Sequence, residues 1–553
     1  MNKLVLIDKI IYAEEQMKNE YLWWRDGVIY QIYPRSFADS NGDGIGDIPG
    51  IIGKLDYLAD LGIDGIWLSP INPSPDKDFG YDVADYFDID PKYGTLADFD
   101  RLLKEAHERN LHVIMDLVLN HTSDQCEWFQ ASRSSRENPY RDWYIWRENP
   151  KGKEYPPNKW YSVFGGKAWE YDKKTGQWYY HMFVKEQPDL NWRNPDVYKK
   201  MMDVFKFWLD RGVDGFRLDV FNNYFKDDQF RDNPSALGIR PFEQQKHIYD
   251  SNRPEMMTVI KDIRDITDKY KERYVVGETF LVTSKEAAGF CGKDKLHANF
   301  DFSLLKCPWD ANRFFKSISS WDNLLSSAAW PNYVLNNHDT PRSASRFTRN
   351  EKDDRLKVAI TMLLTLRGTP FLYYGEEIGM RDIRLKRNEL QDPVGIRYWP
   401  VPVGRDGCRS PMQWDATDNA GFSTGKPWLK LHPNYVRRNV HAQELDENSL
   451  LSYYKWLLSL RKTTPALQKG MFIPLTYEPR ALMAYLREYE GQTFLVVLNF
   501  TGHKVRLALG PRLRETNWKL VISSKRDSAP EIKKGWLPLL GNEASVYIQQ
   551  AEE

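Results

Sequence analysis

The amino-acid sequence predicts an α/β fold: a (β/α)8 barrel of the TIM type, with a small domain inserted after the third strand and an antiparallel β domain at the carboxyl end. From about residue 27, short apolar runs alternate with longer segments of helical period, which is typical of βα units and a parallel sheet. Eight such strands can be counted, and eight βα units close into a barrel whose chemistry lies on the loops after the strands. The alternation stops between residues 122 and 190 and again after residue 470.

The predicted strands are 27–37, 64–70, 112–121, 214–220, 274–280, 299–304, 333–339 and 370–377. The predicted helices are 48–62, 95–110, 195–212, 254–272 and 353–367. Thr95 is a suitable helix cap, and Leu102 and Ala106 lie four residues apart on one face of the helix that follows. An open doubly wound sheet is the alternative, and it is disfavoured because no glycine-rich phosphate loop follows the first strand.

Three regions follow from this pattern. Residues 1–121 and 191–470 form the predicted barrel, residues 122–190 the inserted domain and residues 471–553 the carboxyl-terminal, sandwich-like β domain. The insertion holds 6 Trp, 7 Tyr and 3 Phe, which predicts an aromatic core with some rings left to line a cleft. The last region alternates apolar and polar residues in the manner of strands.

Composition excludes several classes of function. The 553 residues carry 77 Lys plus Arg and 77 Asp plus Glu, so the net charge is zero, and no basic excess is available for nucleic acid or an anionic membrane. No stretch approaches the roughly 20 apolar residues of a membrane span, and the first residues lack a signal-peptide pattern. The 4 cysteines form no paired motif, so we expect a reduced, cytoplasmic protein. The oligomeric state is not predicted.

Ionisable residues end several predicted strands. They are Asp116, His121, Arg217, Asp219, Glu278, His338 and Asp339. Because all strand ends of a barrel face one side, carboxylates converge there without metal-ligand spacing. Two such groups can cleave a glycosidic bond, one as an acid and the other as a nucleophile or base. A single Asp at a strand end is more often structural, so the prediction depends on their joint occurrence.

Five ordered blocks carry a family resemblance. They are DLVLNH (116–121), QPDLNW (187–192), GFRLD (215–219), GETF (277–280) and NNHD (336–339), supported by GRDGCRSPMQWD (404–415). In these blocks the sequence resembles the α-amylase family of glycoside hydrolases, family 13, and within it the α-glucosidase and oligo-1,6-glucosidase group. The resemblance extends from about residue 24 to the end of the chain.

The resemblance implies a catalytic set. Asp219 would be the nucleophile, Glu278 the acid/base, and Asp339 the carboxylate that holds sugar hydroxyls in the transition state. Arg217 lies two residues before Asp219, on the same face of the strand, where its charge would keep the nucleophile ionised. A retaining outcome follows if the Asp219 and Glu278 carboxyl groups lie about 5 Å apart. His121 and His338 would donate hydrogen bonds to the same sugar.

Three further residues would shape the substrate site. By the same resemblance, Asp82 and Arg409 would hold the far hydroxyl of a terminal glucose and close the pocket, which favours exo action. Val220 follows the nucleophile and would line the acceptor site; valine at this place goes with α-1,6 bonds in related enzymes. Residues 230–255 and 391–400 look more like enzymes for α-1,4 or sucrose-like substrates, so linkage preference stays open.

The loop DSNGDGIGD is similar to the first-loop cation site of this family. Its oxygen donors would bind a structural Ca²⁺, and the resemblance adds the Ile45 carbonyl to the side chains. The predicted ligands are Asp39, Asn41, Asp43, Ile45 and Asp47. The loop is not an EF-hand, because position 12 is Gly50 and a strand precedes it. No organic cofactor is expected.

The function implied is a retaining exo-acting α-glucosidase acting on short, neutral α-glucosides. Two alternatives stay open. A relative that transfers or isomerises glucose would share the covalent intermediate, but the basic segment 381–393 differs from the acceptor loop of sucrose isomerases. A non-catalytic relative, of the kind found as the heavy chain of amino-acid transporters, would have a membrane span and lack the acids.

Overall fold

A computed structural model describes residues 21–148, 152, 154–280 and 282–550. The amino-terminal stretch that lacks a signal-peptide pattern falls within residues 1–20 and lies outside the described residues. Eight strands form the central sheet: β1 (Ile29–Ile32), β2 (Gly65–Leu68), β3 (His112–Leu117), β4 (Gly215–Leu218), β5 (Tyr274–Glu278), β6 (Ala298–Phe300), β7 (Asn332–Val334) and β8 (Thr369–Tyr373).

These strands confirm the predicted barrel. They pair in parallel in the order β7-β8-β1-β2-β3-β4-β5-β6, and β6 and β7, at the two ends of that order, also lie against each other. The sheet is therefore a nearly closed (β/α)8 barrel. Side chains from several strands, among them Ile29, Ile114 and Val276, form an apolar cluster.

Helices cover the outside of the barrel. The longer ones are Leu55–Leu61, Leu96–Glu108, Pro195–Asp210, Met256–Thr267, Ala311–Leu324, Asp354–Thr365 and Leu450–Lys462. Thr95 caps its helix in a capping box with Asp98, and Leu102 and Ala106 are buried, as the sequence predicts. The single helix predicted over 48–62 is instead two helices, because the chain breaks helical geometry at Lys54.

The strands are shorter than the sequence predicts, because side chains form turns at their ends. The predicted strand 333–339 ends at Val334. Beyond it, the Asn337 Oδ1 atom accepts hydrogen bonds from the Asp339 amide (3.0 Å) and from the Thr340 hydroxyl (2.8 Å). Such a local side-chain bond competes with the sheet and turns the backbone. The polar residues at this end therefore lie on a loop.

The inserted region contains a small antiparallel sheet. Its strands are, in spatial order, Trp146–Arg147, Gln177–Tyr180 and Trp169–Asp172. Most of its aromatic rings are buried in apolar clusters, while Tyr140, Tyr155 and Tyr161 are exposed. A buried ion pair ties the region to the barrel: the Asp189 carboxylate lies 2.6 Å from Lys226 Nζ, and both side chains are fully buried. The domain boundaries at 122, 190 and 471 stay predictions.

The carboxyl-terminal region is antiparallel, as predicted. One sheet has the order Met471–Pro474, Leu482–Tyr489, Gln492–Asn499, Ala544–Gln549 and Trp518–Ser523. A two-stranded sheet, Val505–Ala508 with Trp536–Leu539, contributes to the same apolar cluster. Across the described part of the chain, all 4 cysteines are buried and unpaired. None of the described helices is long and apolar enough to cross a membrane.

Candidate active site

Polar residues collect at the carboxyl ends of the barrel strands. Asp116 lies near the end of β3, Arg217 lies in β4, Asp219 directly follows β4, and Glu278 is the last residue of β5. The strands are parallel, so these ends lie on one face of the barrel. The structure thus brings together residues that are more than 150 positions apart in the sequence.

Arg217 is the centre of this group. Its Nη1 atom donates to the carboxylates of Asp116 (2.7 Å) and Asp219 (2.8 Å), and its Nη2 atom donates to Glu278. All four side chains are buried. Two of these carboxyl groups, those of Asp219 and Glu278, are held by the two terminal nitrogens of one guanidinium group and therefore lie side by side.

Burial controls the proton affinity of the group. It raises the pKa of Asp116 to about 6 and raises the pKa values of Asp219 and Glu278, and the Arg217 charge opposes all three shifts. A single guanidinium group cannot compensate three carboxylates. The cluster therefore retains a proton at a pH where exposed carboxyl groups have lost theirs.

The local backbone explains how Asp219 and Glu278 meet. Val220 has φ 34° and ψ 39°, a left-handed conformation that is uncommon and strained for a β-branched residue, and its amide faces a Glu278 oxygen at 3.5 Å. Position 277 accommodates only glycine, because a Cβ atom there would lie 2.3 Å from the Phe221 ring. The chain can therefore turn tightly after β4 and pack against β5.

Asp339 lies beside the cluster on the loop after β7. Arg409 Nη2 donates to its Oδ1 atom at 2.8 Å, and Arg405 Nη1 lies 3.5 Å from the same atom. Removal from water would raise the pKa of Asp339, but His338, Arg405 and Arg409 outweigh that effect and hold the pKa below its ordinary value. About a third of the side chain, 35%, is exposed. Asp339 is therefore an ionised carboxylate that faces the cleft.

The two predicted histidines are buried and neutral. Burial lowers the pKa of His338 to about 3 and that of His121 to about 4. His338 Nε2 lies 2.6 Å from the Tyr81 hydroxyl, and the two rings are stacked. His121 Nε2 lies 3.0 Å from the Tyr81 carbonyl oxygen. Tyr81, which sequence reasoning missed, connects both histidines to this face.

Asp82 and Arg409, which were predicted to hold the same sugar hydroxyl, do not bond to each other. The Asp82 carboxylate accepts hydrogen bonds from the Ser74 hydroxyl and from the amides of Lys77 and Asp78, so it stabilises its own turn. Arg409 bonds to Asp339 instead. This turn satisfies both Asp82 oxygens locally, and the carboxylate does not reach the guanidinium group.

A neighbouring ion pair lies next to Asp339. Arg405 Nη2 donates to Asp78 at 2.6 Å and to Asp392 at 2.7 Å, and all three side chains are largely buried. Arg405 also approaches Asp339, which places the pair next to the predicted catalytic residues. The signal was present in the sequence, because DFGYD offers two Asp and RDGCR two Arg, each pair four residues apart. Spacing alone does not choose between them.

The loop from Asp39 to Asp47 follows β1 and leads into the helix that begins at Ile48. Backbone amides of the loop bond to Asp39, Asn41 and Asp43, and Asp47 caps the following helix through the Gly50 amide. In the described chain, none of the three aspartates forms an ion pair with Lys or Arg. No three His, Cys, Asp or Glu side chains of the described residues are grouped as a metal site. Support for a cation here therefore comes from uncompensated charge and oxygen donors.

Comparison with known proteins agrees with this geometry. Residues 31–470 match the family described as alpha amylase, catalytic domain. The chain belongs to the alpha-amylase family. Residues 472–538 match the maltogenic amylase carboxyl-terminal domain. The resemblance that the short sequence blocks carry is thereby confirmed.

Individual members of the alpha-amylase family are similar over nearly the whole chain. An oligo-1,6-glucosidase from Parageobacillus thermoglucosidasius is 40% identical over 96% of this chain and 99% of its own. A probable alpha-glucosidase from Rhizobium meliloti (strain 1021) is 43% identical over 87% and 89% of the two chains. The crystal structure of the alpha-glucosyl transfer enzyme XgtA superposes with a TM-score of 0.90 at 39% identity, over 96% of this chain and 100% of that one.

We predict that Arg217→Met destabilises the protein more at high pH than at low pH. Without the guanidinium group, the pKa values of the three buried carboxyl groups rise further. A carboxyl group whose pKa is higher in the folded state contributes stability while it is protonated, and that contribution is lost as the pH rises through the folded-state pKa. We expect the deficit in melting temperature to grow from pH 4.5 to pH 8, towards the equivalent of about 3–5 kcal/mol.

Arg461→Met is the matched control. Arg461 is equally buried, but its guanidinium group bonds to backbone carbonyls of residues 364, 366, 368 and 467. Its loss should lower the melting temperature by a similar amount at every pH. A deficit of Arg217→Met that does not change with pH would contradict the charge balance described above.

Proposed function

We propose that the protein is a retaining, exo-acting α-glucosidase that releases glucose from the non-reducing end of short α-glucosides. One observation carries the proposal: Asp219 and Glu278 bond to the same guanidinium group, beside an ionised Asp339. Two carboxyl groups bound to one guanidinium group suit a retaining glycosidase, whose pair lies about 5–5.5 Å apart, better than an inverting one, whose pair is about 6.5–9.5 Å apart to leave room for a water. The names of similar proteins support the same substrate class.

The first step uses Asp219 and Glu278 in opposite senses. Glu278, whose pKa is raised by burial, gives its proton to the glycosidic oxygen while an Asp219 oxygen attacks the anomeric carbon. The bond between carbon and the leaving oxygen breaks as the ester bond to Asp219 forms. In the second step the Glu278 carboxylate takes a proton from water, whose oxygen attacks the same carbon and frees Asp219.

The neighbouring groups bind the glucose ring in this scheme. Asp339 is ionised and faces the cleft, so its carboxylate accepts hydrogen bonds from sugar hydroxyls. His338 and His121 are neutral and hold Tyr81 from either side, so they border the glucose site without adding charge. Arg409 holds Asp339 in place at 2.8 Å.

Exo action is assigned to the pair Asp78 and Arg405. Their 2.6 Å ion pair is buried and lies next to Asp339. A charged pair at a closed end recognises the last hydroxyl of a terminal glucose and leaves no path for a longer chain. This assignment replaces the predicted pair Asp82 and Arg409.

Linkage preference is assigned to Val220. Its left-handed backbone directs it into the apolar cluster of the insertion, which also contains Phe242 and Val394. A branched apolar side chain after the nucleophile offers no hydroxyl to an acceptor sugar, which agrees with cleavage of α-1,6 bonds. The oligo-1,6-glucosidase relative supports the same choice.

Glucosyl transfer is the alternative. It has the same first step, but a sugar hydroxyl replaces water in the second, and the similar solved structure is named an alpha-glucosyl transfer enzyme. The non-catalytic alternative predicts lost acids, whereas Asp219, Glu278 and Asp339 are all present. We also infer a reducing, cytoplasmic location from the 4 unpaired cysteines.

We further propose that the loop from Asp39 to Asp47 binds Ca²⁺. Its donors are the oxygen ligands that Ca²⁺ prefers, and its three carboxylates have no Lys or Arg partner among the described residues. Asp39 also accepts a hydrogen bond from the Ser423 hydroxyl, and the Trp428 amide donates to the Gly44 carbonyl. A cation here would stabilise the loop after β1 and its contacts with the segment that contains Ser423 and Trp428.

The mechanism predicts that the product keeps the anomeric configuration of the substrate and that Asp219 is essential for activity. With isomaltose, maltose, sucrose, trehalose and starch, NMR should show α-glucose released first, from the short substrates and not from starch. Asp219→Ala should lose on the order of 10⁴-fold in kcat/KM. Glu278→Gln should fail on isomaltose but still react with an aryl glucoside, whose leaving group needs no proton.

Asp228→Ala is the control, because Asp228 is exposed on the same loop after β4. It should retain wild-type activity. First release of β-glucose, or full activity of Asp219→Ala, would overturn the mechanism. Glucosyl-sugar products in place of free glucose would favour the transfer alternative.

If Asp78 and Arg405 bind the terminal glucose, substitutions of Asp78 and Asp82 should affect different properties of the enzyme. Asp78→Asn should lower kcat/KM for disaccharides roughly 10- to 100-fold, because a charge-assisted hydrogen bond is lost. Asp82→Asn should lower the melting temperature with little change in kcat/KM, because its carboxylate serves the turn. Steady-state kinetics and thermal melts of both variants test this, and the reverse result would restore Asp82 to the substrate site.

The proposed Ca²⁺ site predicts a metal-dependent melting temperature. Treatment with EDTA should lower it, added Ca²⁺ should restore it, and Asp43→Asn should show neither effect. Asp85→Asn is the control, because Asp85 is also exposed and makes the same type of bond to the amide two residues on. An equal response to EDTA in the wild type and in Asp43→Asn would contradict the site.

A further inference from the structure

The two ring nitrogens of His338 are contacted by side chains from two different parts of the chain. Its Nδ1 atom is 2.8 Å from Gln31 Nε2, on β1. Its Nε2 atom is 2.6 Å from the Tyr81 hydroxyl and 3.5 Å from Asp339 Oδ2. His338 and Gln31 are each 1% exposed, so protein groups decide which ring nitrogen carries the proton.

The partners agree on one tautomer. A neutral imidazole has one N–H donor and one acceptor. The Gln31 amide nitrogen can only donate a hydrogen bond, so Nδ1 of His338 must accept it. On the other side, the Tyr81 hydroxyl donates its proton to Asp116 Oδ2 at 3.2 Å and is left as an acceptor for Nε2–H. Both sides therefore place the proton of His338 on Nε2.

We propose that Gln31 is a positioning residue that fixes His338 in its Nε2–H tautomer, so that the ring donates a hydrogen bond to the Tyr81 hydroxyl and orients it towards Asp116. This rests on the proposed function, because Asp116 belongs to the carboxylate cluster around Arg217 that contains the proposed nucleophile and acid. Gln31 also donates to the Ser69 hydroxyl at 3.2 Å, which fixes the amide plane between β1 and the end of β2.

The arrangement has a cost that supports a functional role. The Gln31 Oε1 atom is buried with no hydrogen-bond partner among the described residues. An unsatisfied buried carbonyl is unfavourable by about 1–3 kcal/mol in general, and an apolar residue would avoid it. The amide is therefore explained by the nitrogen that it presents to His338 and not by stability.

Charged groups face His338 from several elements. The titratable and charged side chains around the ring are Tyr33, Tyr81, Arg217, Asp339, Arg405 and Arg409. The Cys408 thiol also bonds to the His338 carbonyl. The three arginines oppose a second proton on the ring and Asp339 favours one, so the wild-type ring stays neutral through the working pH range.

Gln31→Glu is the decisive variant, because it exchanges the donor for an acceptor of the same shape. Beside a carboxylate the ring can take a second proton, which preserves Nε2–H at low pH. As the pH rises the ring loses a proton, and the one that remains moves to Nδ1, facing the carboxylate. The kcat/KM of Gln31→Glu, relative to wild type, should fall roughly 10- to 100-fold between pH 5 and pH 8.

Gln31→Met removes the donor without adding charge. It should lower kcat by a similar factor at every pH, with a smaller change in KM. Gln468→Met is the control for loss of a buried amide, since Gln468 is 4% exposed and bonds to the Lys462 carbonyl. It should lower the melting temperature and leave kcat unchanged. If Gln31 were merely structural, Gln31→Met would likewise lower the melting temperature and leave kcat unchanged.

The tautomer can be measured without substrate turnover. Nitrogen-15 NMR of histidine-labelled protein, with the His338 signal assigned from His338→Gln, should show Nε2–H in the wild type and a mixture in Gln31→Met. A wild-type Nδ1–H signal, or a pH profile of Gln31→Glu that parallels the wild type, would overturn the proposal. Failure of the wild type to release glucose would instead refute the proposed function.

Discussion

The contact of one guanidinium group with three buried carboxylates is the constraint on which the active site depends. At an effective dielectric constant of about 20, each close pair of charges interacts by roughly 4 kcal/mol. Three attractions to Arg217 are therefore set against three repulsions of similar size among Asp116, Asp219 and Glu278. A balance this close is decided by one proton, and burial ensures that the proton is retained. The shortage of positive charge thus leaves a proton within the group of three carboxylates, as acid catalysis requires.

The barrel supplies this contact by placing β3, β4 and β5 side by side, but the final approach depends on backbone that departs from regular geometry. Val220 is held in a left-handed conformation immediately after Asp219, and its amide points at Glu278. Gly277 lets the Phe221 ring pack directly against β5. Strain at such positions persists only where the surrounding packing determines it, and here the packing is the aromatic core shared with the insertion. The inserted region therefore contributes to the geometry of the backbone that follows Asp219.

The sequence predicted the barrel, the order of its strands and the three carboxylates, because periodicity and strand-end chemistry are local properties of the chain. It overestimated strand lengths where a side chain such as Asn337 forms a turn that periodicity does not show. It named Asp82 and Arg409 for the closed end, whereas the structure pairs Asp78 with Arg405, for a related reason. Asp78 and Asp82 lie four residues apart in one turn, and only the packing of the segment that carries Arg405 decides which of the two faces the site. That decision is tertiary, so no local pattern contains it.

The neutral charge of the whole chain conceals a strongly charged site. Six carboxyl groups, those of Asp78, Asp116, Asp219, Glu278, Asp339 and Asp392, contact three guanidinium groups, those of Arg217, Arg405 and Arg409. Even with two carboxyl groups protonated, the cluster keeps a net negative charge. A neutral glucoside gains little from that field on binding, whereas the positively charged sugar of the transition state is stabilised by it. The excess of acids, which is costly to the folded state, therefore favours the transition state over the bound substrate, and this difference accelerates the reaction.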